Sequence, residues 1–192
     1  EFRKKFEQKN KGDSVIKNMW DLMDERNISK KIVEDLFDGV NSDLKKEVKI
    51  ETEKELLIYS YRVAGTVGLM MAKIFGVKKK ESLQRAIDLG IAMQLTNIAR
   101  DVFEDEKNNR VYLIKSSNDV FKNIKSIILK ADSFYDSSFE GIKDIPLNSR
   151  FSIIVARRVY RQIGKEILSK KDIQSYRQAG KIYVSNFGKI IQ

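Results

Sequence analysis

A single proline, Pro146, interrupts the 192 residues of this chain, and its ten glycines are the only other strong helix breakers. Because proline removes a backbone donor and clashes inside a helix, a chain so poor in breakers can form long helices. No segment shows sustained alternation of apolar and polar residues, which is the pattern of half-buried strands. The sequence therefore predicts an all-α protein with one helical domain over residues 1–192.

The spacing of apolar residues predicts where the helices lie. They are expected at 14–26, 29–40, 52–76, 79–106, 119–136 and 149–169, with short pieces at 172–180 and 181–191. Asp13 is the expected N-cap of the first helix, and Thr52 with Glu55 forms a capping box at the third. Asn108 and Asn109 end the longest helix.

The longest predicted helix carries an unusual polar stripe. A helix turns by about 100° per residue, so Gln94, Asn97, Asp101 and Asp105 fall within roughly 80° of one another. Gly90 lies one turn earlier on the same side and is interpreted as open space that gives access. The stripe is either a solvent-facing surface or a cation site, since buried carboxylates need compensation. Because the rest of this helix is apolar, we favour a magnesium–diphosphate site with Asn97, Asp101 and Asp105 as metal ligands.

The residue types that are missing restrict the chemistry. The chain contains no cysteine and no histidine, which excludes thiol nucleophiles, Ser-His catalysis and the usual zinc sites. A metal would be held by oxygen ligands, as magnesium, calcium or manganese are. Proton transfer would use carboxylates, tyrosine, lysine, water or the substrate.

The predicted helix at 52–76 has a second unusual feature. Gly65 and Gly68 lie in its middle, where each costs about 1 kcal/mol relative to alanine. They indicate either close packing against another helix or a kink beside a ligand. In the second case Tyr59 and Tyr61 would be polar-tipped walls of the binding site.

The formal net charge is +10. It reflects either a lysine-rich solvated surface or attraction to an anionic partner such as a diphosphate, a membrane or nucleic acid. No helix-turn-helix, RNP-like or zinc pattern supports nucleic-acid binding, so none is expected. No apolar run is long enough to span a bilayer, and no signal peptide is visible.

Three stretches resemble the squalene/phytoene synthase family. YSYRVAGTVGLMM (59–71) and LGIAMQLTNIARDVFEDEKNNRVYL (89–113) resemble its signatures, the second in the form QLTNIxRDxxED…RxYLP. IPLNSRFSIIVARRVYRQIGKEI (145–167) is similar to the late helix of the family. The resemblance covers about residues 30–190 and is strongest to the bacterial phytoene synthases.

The resemblance implies an isoprenoid (terpenoid) synthase fold, a helical bundle around a central cavity. Two aspartate-rich motifs would face each other there and hold Mg²⁺, or Mn²⁺, with two prenyl diphosphates. Asp101 and Asp105 match the second motif and, with Tyr59 and Tyr160, are the expected catalytic residues. The positions that match substrate-binding residues of the family are Gln94, Asn97, Arg100, Arg110 and Tyr112.

The implied reaction is a head-to-head condensation of two geranylgeranyl diphosphates to phytoene, as in carotenoid biosynthesis. It would pass through a cyclopropyl diphosphate and end in proton loss, without NADPH. One alternative is a squalene, dehydrosqualene or hydroxysqualene synthase that uses farnesyl diphosphate. Another is a non-catalytic member with an assembly role. Because the substrates and products are strongly apolar, we expect a cytoplasmic protein with peripheral contact to the inner face of the membrane.

The sequence departs from the family pattern in two places. Nothing in residues 1–50 matches the first aspartate motif, and we interpret Asp21, Asp24 and Glu25 as a solvated face. Because the first residue is Glu1 rather than methionine, we expect the C-terminal portion of a synthase domain, N-terminally incomplete and inactive alone. Turnover of geranylgeranyl diphosphate by residues 1–192 would contradict this. Ile114 stands where the family has proline, and the following segment is short, which puts that flank of the cavity in doubt.

Overall fold

The all-α prediction is confirmed by the computed structural model, which describes residues 1–9 and 12–184. Its helices are α1 (Phe2–Glu7), α2 (Ser14–Glu25), α3 (Lys30–Ser42), α4 (Glu53–Ser60), α5 (Thr66–Ile74), α6 (Lys80–Lys107), α7 (Val120–Phe139), α8 (Leu147–Leu168) and α9 (Ile173–Gln178). The sequence did not predict α1. The expected piece at 181–191 falls mostly outside the described residues, and 181–184 are not helical.

Two short strands are an exception to the helical pattern. β1 (Val48–Lys49) pairs in parallel with β2 (Arg110–Val111), so that Val48 lies opposite Arg110. The amide of Val48 donates to the carbonyl of Asn109 at 3.1 Å, and that of Ile50 donates to the carbonyl of Val111 at 2.9 Å. Strands of two residues are too short for alternation to reveal, which is why the sequence did not predict them.

Helix α6 is the centre of the main core. Ala92, Leu95 and Ala99 are fully buried on it, and its neighbours are α5, α7 and α8. Ile124 of α7 and Ile167 of α8 are also fully buried in this cluster. Each such aliphatic side chain contributes about 1.5–3 kcal/mol on burial. Because the apolar side of α6 is fixed in the core, the direction of its polar side is fixed as well.

The N-terminal helices form a second core. It contains Phe6, Ile16 and Val33, all fully buried. Trp20 stacks on Phe6 with ring centroids 4.9 Å apart. The Asp13 side chain accepts hydrogen bonds from the amides of residues 15 and 16, which confirms it as the N-cap of α2. This cluster also packs against apolar residues of α5 and supports that helix from the side away from α6.

The helix predicted at 52–76 is interrupted by a π-helical turn, Tyr61–Gly65, between α4 and α5. Its capping box is confirmed, since Thr52 and Glu55 bond each other's backbone amides. A side chain on Gly68 would clash with the carbonyl of Ala86. The mid-helix glycines therefore allow close packing on α6.

Gly90 serves the same packing from the α6 side. A Cβ atom there would clash with the carbonyl of Ala64 and lie 3.0 Å from the Cα of Gly65. The interpretation of Gly90 as open space for a ligand is therefore wrong. Its missing side chain instead lets the backbone of α6 touch the backbone of the π-helical turn.

Candidate functional site

The polar stripe predicted on α6 lies on a partly buried face. Gln94, Asn97, Asp101 and Asp105 are all of intermediate exposure, so the stripe is not a free solvent surface. Within the described residues, Oδ1 of Asn97 is buried and has no hydrogen-bond partner. An unpaired buried acceptor costs about 1–3 kcal/mol, so this oxygen is available to a ligand. We call these four residues the α6 stripe.

Asp101 is surrounded by positive charge. Arg100 donates to it from Nε at 2.9 Å and from Nη2 at 2.6 Å. Lys181, which follows α9, places its Nζ 3.5 Å from Oδ1 of Asp101. The hydrogen bond to Asp101 raises the pKa of Arg100, so this guanidinium stays charged. Two cations thus lie where an anionic ligand would meet the stripe.

Asp105 lies one turn further along α6. Burial and the nearby charge of Asp101 raise the pKa of Asp105 to about 6, although the charge of Arg110 opposes the shift. A carboxylate with this pKa is poorly compensated by its own protein. A bound cation would restore its charge, because an opposite charge within a few ångströms favours the ionised form.

A second polar cluster faces the stripe from α3 and β2. Asp43 follows α3 directly and accepts the Tyr59 hydroxyl at Oδ2 over 3.0 Å and the Tyr112 hydroxyl at Oδ1 over 2.7 Å. The two phenol rings stack with centroids 4.7 Å apart. Arg110 donates from Nη2 to the backbone carbonyl of Asp43 at 3.2 Å. We call Asp43, Tyr59, Arg110 and Tyr112 the tyrosine cluster.

Sequence reasoning missed Asp43. It stands between the helices predicted at 29–40 and 52–76, and no motif marks it. The sequence did select its three partners, and the structure brings them together. The remaining candidate, Tyr160, lies on α8 and is half-buried.

An apolar groove of about 330 Å³ lies beside the part of α6 that precedes the stripe. Ala86, Leu89 and Met93 line it from α6, about two to four turns before Asp101. The other walls come from the π-helical turn, α5 and α8, through Val63, Val67, Met71, Ile153 and Ala156. One face of α6 therefore changes from apolar to polar along its length. A second cleft, of about 450 Å³, lies beside Asp105, Arg110 and Tyr112 and extends to Lys115 and Arg177.

The donor set of the stripe fits a hard cation. Asn97, Asp101 and Asp105 offer only oxygen atoms, and one of these, Asn97 Oδ1, is unpaired. Among residues 1–9 and 12–184, no cluster of three or more acidic, histidine or cysteine ligands forms a complete metal cage. Mg²⁺ does not need one, because it is usually held by one or two carboxylates together with phosphate oxygens and water.

The acidic group on α2 has no part in this site. Asp21, Asp24 and Glu25 are exposed, and Glu25 pairs with its neighbour Arg26 at 3.0 Å. Their interpretation as a solvated face agrees with this exposure. Ile114, which replaces the family proline, is half-buried and packs against the main core.

No helix in the described part of the chain has the length and hydropathy to cross a bilayer.

Comparison with known proteins adds to the geometry. The family model of squalene/phytoene synthases matches residues 1–116. The 15-cis-phytoene synthase of Paracoccus sp. (strain N81106 / MBIC 01143) is 38% identical over 170 residues, covering 81% of this chain and 55% of that protein. The 15-cis-phytoene synthase of Enterobacter agglomerans is 37% identical over 139 residues, covering 64% and 47%. The chain thus spans about half the length of these relatives.

Solved structures show the same fold. Squalene synthase HpnC from Alicyclobacillus acidocaldarius superposes with a TM-score of 0.78 at 16% identity, covering 91% of this chain and 72% of that one. A dehydrosqualene synthase in complex with a ligand superposes with a TM-score of 0.69 at 28% identity, covering 93% and 68%. The expected isoprenoid-synthase fold is confirmed by these likenesses.

Proposed function

Because the chain belongs to the squalene/phytoene synthase family, we propose that its site binds a prenyl diphosphate for head-to-head condensation to phytoene. The observation that carries the proposal is the single face of α6 that passes from the apolar groove to the polar stripe. A prenyl diphosphate has the same division, with a long hydrocarbon tail and a highly charged head. The relatives named 15-cis-phytoene synthase support geranylgeranyl diphosphate as the substrate.

The head of the substrate would bind at the stripe. Mg²⁺, or Mn²⁺, held by Asn97, Asp101 and Asp105 would neutralise the leaving diphosphate when bound. Arg100 and Lys181 already lie against Asp101 and can donate to phosphate oxygens. These cations would stabilise the charge that develops on the diphosphate as its bond to carbon breaks.

The tail would bind in the groove. Its walls are mostly aliphatic side chains with two methionines, Met71 and Met93, and they expose few polar atoms to a bound hydrocarbon. Exclusion of water would protect an allylic cation, which the double bond of a second prenyl chain attacks to give the cyclopropyl diphosphate. The hydroxyls of Tyr59 and Tyr160 are the candidate groups for relaying the proton that is finally lost, without NADPH. The Tyr59 hydroxyl could take up that proton only as it passes its own to the Asp43 carboxylate, to which it already donates.

A farnesyl-using synthase is the second candidate. The 28% identity to a dehydrosqualene synthase structure favours it, because that similarity extends over 93% of this chain. The two candidates differ in tail length and therefore in how deeply the groove must be filled.

Binding of inert analogues tests the proposal without requiring turnover. We would titrate the chain by calorimetry with geranylgeranyl and farnesyl thiodiphosphates, with Mg²⁺ and with a chelator. Binding that requires Mg²⁺ and weakens in Met93→Trp, which fills the groove, is the expected result. Leu129→Trp is the matched control, since Leu129 is 61% exposed on α7 and does not line the groove. Equal affinity in all proteins, or no binding, would contradict the proposal, and a preference for the shorter tail would favour the second candidate.

Peripheral membrane contact at the inner face is also proposed. The net charge of +10 favours anionic lipids, and α8 exposes Leu147 and Phe151 one turn apart, at 78% and 74%. Sedimentation with anionic vesicles at low salt, and release at high salt, is expected. Failure to sediment at low salt would contradict the contact.

A further inference from the structure

We infer that Asp43 is a positioning residue of this site, whose carboxylate fixes the hydroxyls of Tyr59 and Tyr112 while its backbone carbonyl fixes Arg110. The inference rests on the proposed function for the identity of the ligand, and on the contacts of Asp43 for everything else. Neither the family signatures nor the spacing of the sequence selects this residue.

The three contacts join separate parts of the chain. Tyr59 is near the end of α4, whereas Arg110 and Tyr112 follow α6. Each oxygen of the Asp43 carboxylate takes one phenol, at 3.0 and 2.7 Å, and the stacked rings leave little freedom to either tyrosine. Two hydrogen bonds to one carboxylate therefore fix two aromatic side chains, one from α4 and one from the segment after β2.

The segment after Asp43 is anchored as well. The pairing of β1 with β2 places Val48 opposite Arg110, five residues beyond Asp43. The Arg110 backbone is therefore held by β1, and its guanidinium is held by the carbonyl of Asp43 at 3.2 Å. Both ends of this side chain are fixed before any ligand arrives, which lowers the entropy lost on binding a phosphate.

This arrangement needs an acceptor at each end of the side chain. An ionised aspartate accepts at both oxygens, whereas asparagine has an NH₂ donor at one of the two positions and cannot accept a hydroxyl there. Burial, followed by the hydrogen bond to Asp43, raises the pKa of Tyr112 to about 12. Burial likewise raises the pKa of Tyr59. Both phenols thus remain donors at neutral pH, and the cluster keeps its geometry.

The cluster also reaches the metal-binding side of the site. Arg110 and Tyr112 line the same cleft as Asp105 of the stripe. Releasing Arg110 from Asp43 would therefore change the wall of the cleft beside that carboxylate, which is the effect expected of a positioning residue.

A matched control lies within α3, the helix that ends at Asp43. Asp35 is a buried carboxylate of α3 that accepts the hydroxyl of Tyr61 at 3.4 Å and pairs with Lys31 at 2.7 Å. Like Asp43 it accepts a tyrosine hydroxyl, but its hydrogen bonds go to Tyr61 and Lys31 rather than to the tyrosine cluster. Asp35→Asn therefore shows how far the loss of a nearby buried carboxylate changes ligand binding through the fold alone.

The experiment combines two measurements on wild type, Asp43→Asn, Asp43→Glu and Asp35→Asn. The first is ionisation of tyrosine followed by ultraviolet absorbance, with Tyr59→Phe and Tyr112→Phe to assign the transitions. The second is calorimetry with inorganic pyrophosphate and Mg²⁺. In Asp43→Asn we expect phenols to ionise at lower pH and pyrophosphate affinity to fall by roughly 10- to 100-fold. Asp43→Glu, which keeps two acceptor oxygens, should recover part of both, and Asp35→Asn should bind as wild type does.

The outcomes separate this inference from the proposed function. If wild type does not bind pyrophosphate, the proposed function fails, and the tyrosine titration still decides whether Asp43 holds the phenols. Unchanged titration and affinity in Asp43→Asn would overturn the inference. Equal loss of affinity in Asp43→Asn and Asp35→Asn would overturn it too, because the effect would then come from α3 as a whole.

Discussion

The tyrosine cluster and the α6 stripe lie side by side but differ in how well their polar atoms are satisfied. In the cluster, both carboxylate oxygens of Asp43 and both phenols have partners at ordinary hydrogen-bond distances. In the stripe, Arg100 pairs with both oxygens of Asp101, but Asn97 Oδ1 is unpaired, and burial raises the pKa of Asp105 to about 6. A satisfied cluster is stable by itself, whereas an unsatisfied one gains from a ligand. The comparison indicates that the tyrosine cluster is a scaffold and that the α6 stripe is the binding surface.

The largest effect should follow from removing the central carboxylate of the stripe. We expect Asp101→Asn to weaken Mg²⁺-dependent pyrophosphate binding by at least about 100-fold, because a metal ligand is lost. The tyrosine cluster should be untouched, so its phenols should ionise as in wild type. Calorimetry and absorbance titration measure the two halves separately.

Glu104→Gln is the control for Asp101→Asn. Glu104 is the exposed carboxylate three residues further on, and it pairs with the same Lys181 at 2.8 Å. Its loss should leave binding within about twofold of wild type, as expected for exposed ion pairs. If both variants lose affinity equally, the general charge of this surface binds pyrophosphate and the stripe has no special role.

A substitution at Gly90 tests how closely α6, which carries the stripe, packs on its neighbour. In Gly90→Ala the added methyl group meets the Ala64 carbonyl, so α6 and the π-helical turn must move apart. We expect a loss of about 1–3 kcal/mol in the free energy of unfolding, as for other overpacked cores. Chemical denaturation measures it. Gly76→Ala provides a contrast, since its cost comes from a positive φ of 82° with open space around it. Wild-type stability in Gly90→Ala would contradict the close packing.

The pH dependence of stability should reveal the poorly compensated carboxylate. In metal-free protein the pKa of Asp105 is about 6 when folded and about 4 when unfolded. Between these values the folded state binds more protons, so this group makes stability fall as pH rises from about 4 to about 6. Because Asp105 is partly exposed, we expect about 1–2 kcal/mol.

Comparison with Asp105→Asn isolates this contribution. The pKa values of Asp38, Asp144 and Asp172 are lowered by hydrogen bonds in the folded protein, so these groups change stability in the opposite direction with pH. Their effect is common to wild type and variant and cancels in the difference. Parallel stability curves for the two proteins, measured with a chelator present, would count against a raised pKa at Asp105.

The smallest effect should come from the acidic residues outside both halves. The double variant Asp21→Asn, Asp24→Asn changes two exposed side chains of α2. We expect its stability to stay within about 0.5 kcal/mol of wild type and its Mg²⁺-dependent pyrophosphate binding to be unchanged. A clear loss of binding would mean that these carboxylates belong to the site.

The two halves also differ in how far the sequence could predict them. The stripe depends on residues of one helix, so the rotation per residue was enough to place Gln94, Asn97, Asp101 and Asp105 on one face. The cluster depends on contacts between α3, α4 and β2, and Asp43 has no local pattern to mark it. Local periodicity specifies a face of a helix, but it does not specify which distant residue faces it.

Gly90 shows the same limit within a correctly predicted helix. Its position on the stripe side of α6 follows from the sequence, and it does line the groove. What the missing side chain is for depends on the neighbouring helix, whose Ala64 carbonyl fills the space. A glycine inside a helix indicates that another group approaches the helix closely. Whether that group is a ligand or a backbone depends on how the neighbouring elements pack.

The short parallel pairing of β1 with β2 has a consequence for the order of folding. It joins two segments that are separated in the chain by α4, α5 and α6. Helices form on a timescale of roughly a microsecond, whereas closing a long loop must wait until the intervening segments are arranged. Refolding protein should therefore recover its helical circular dichroism before Arg110 and Tyr112 reach Asp43. Ultraviolet absorbance of the buried tyrosines is thus a stricter test of a finished site than helical content.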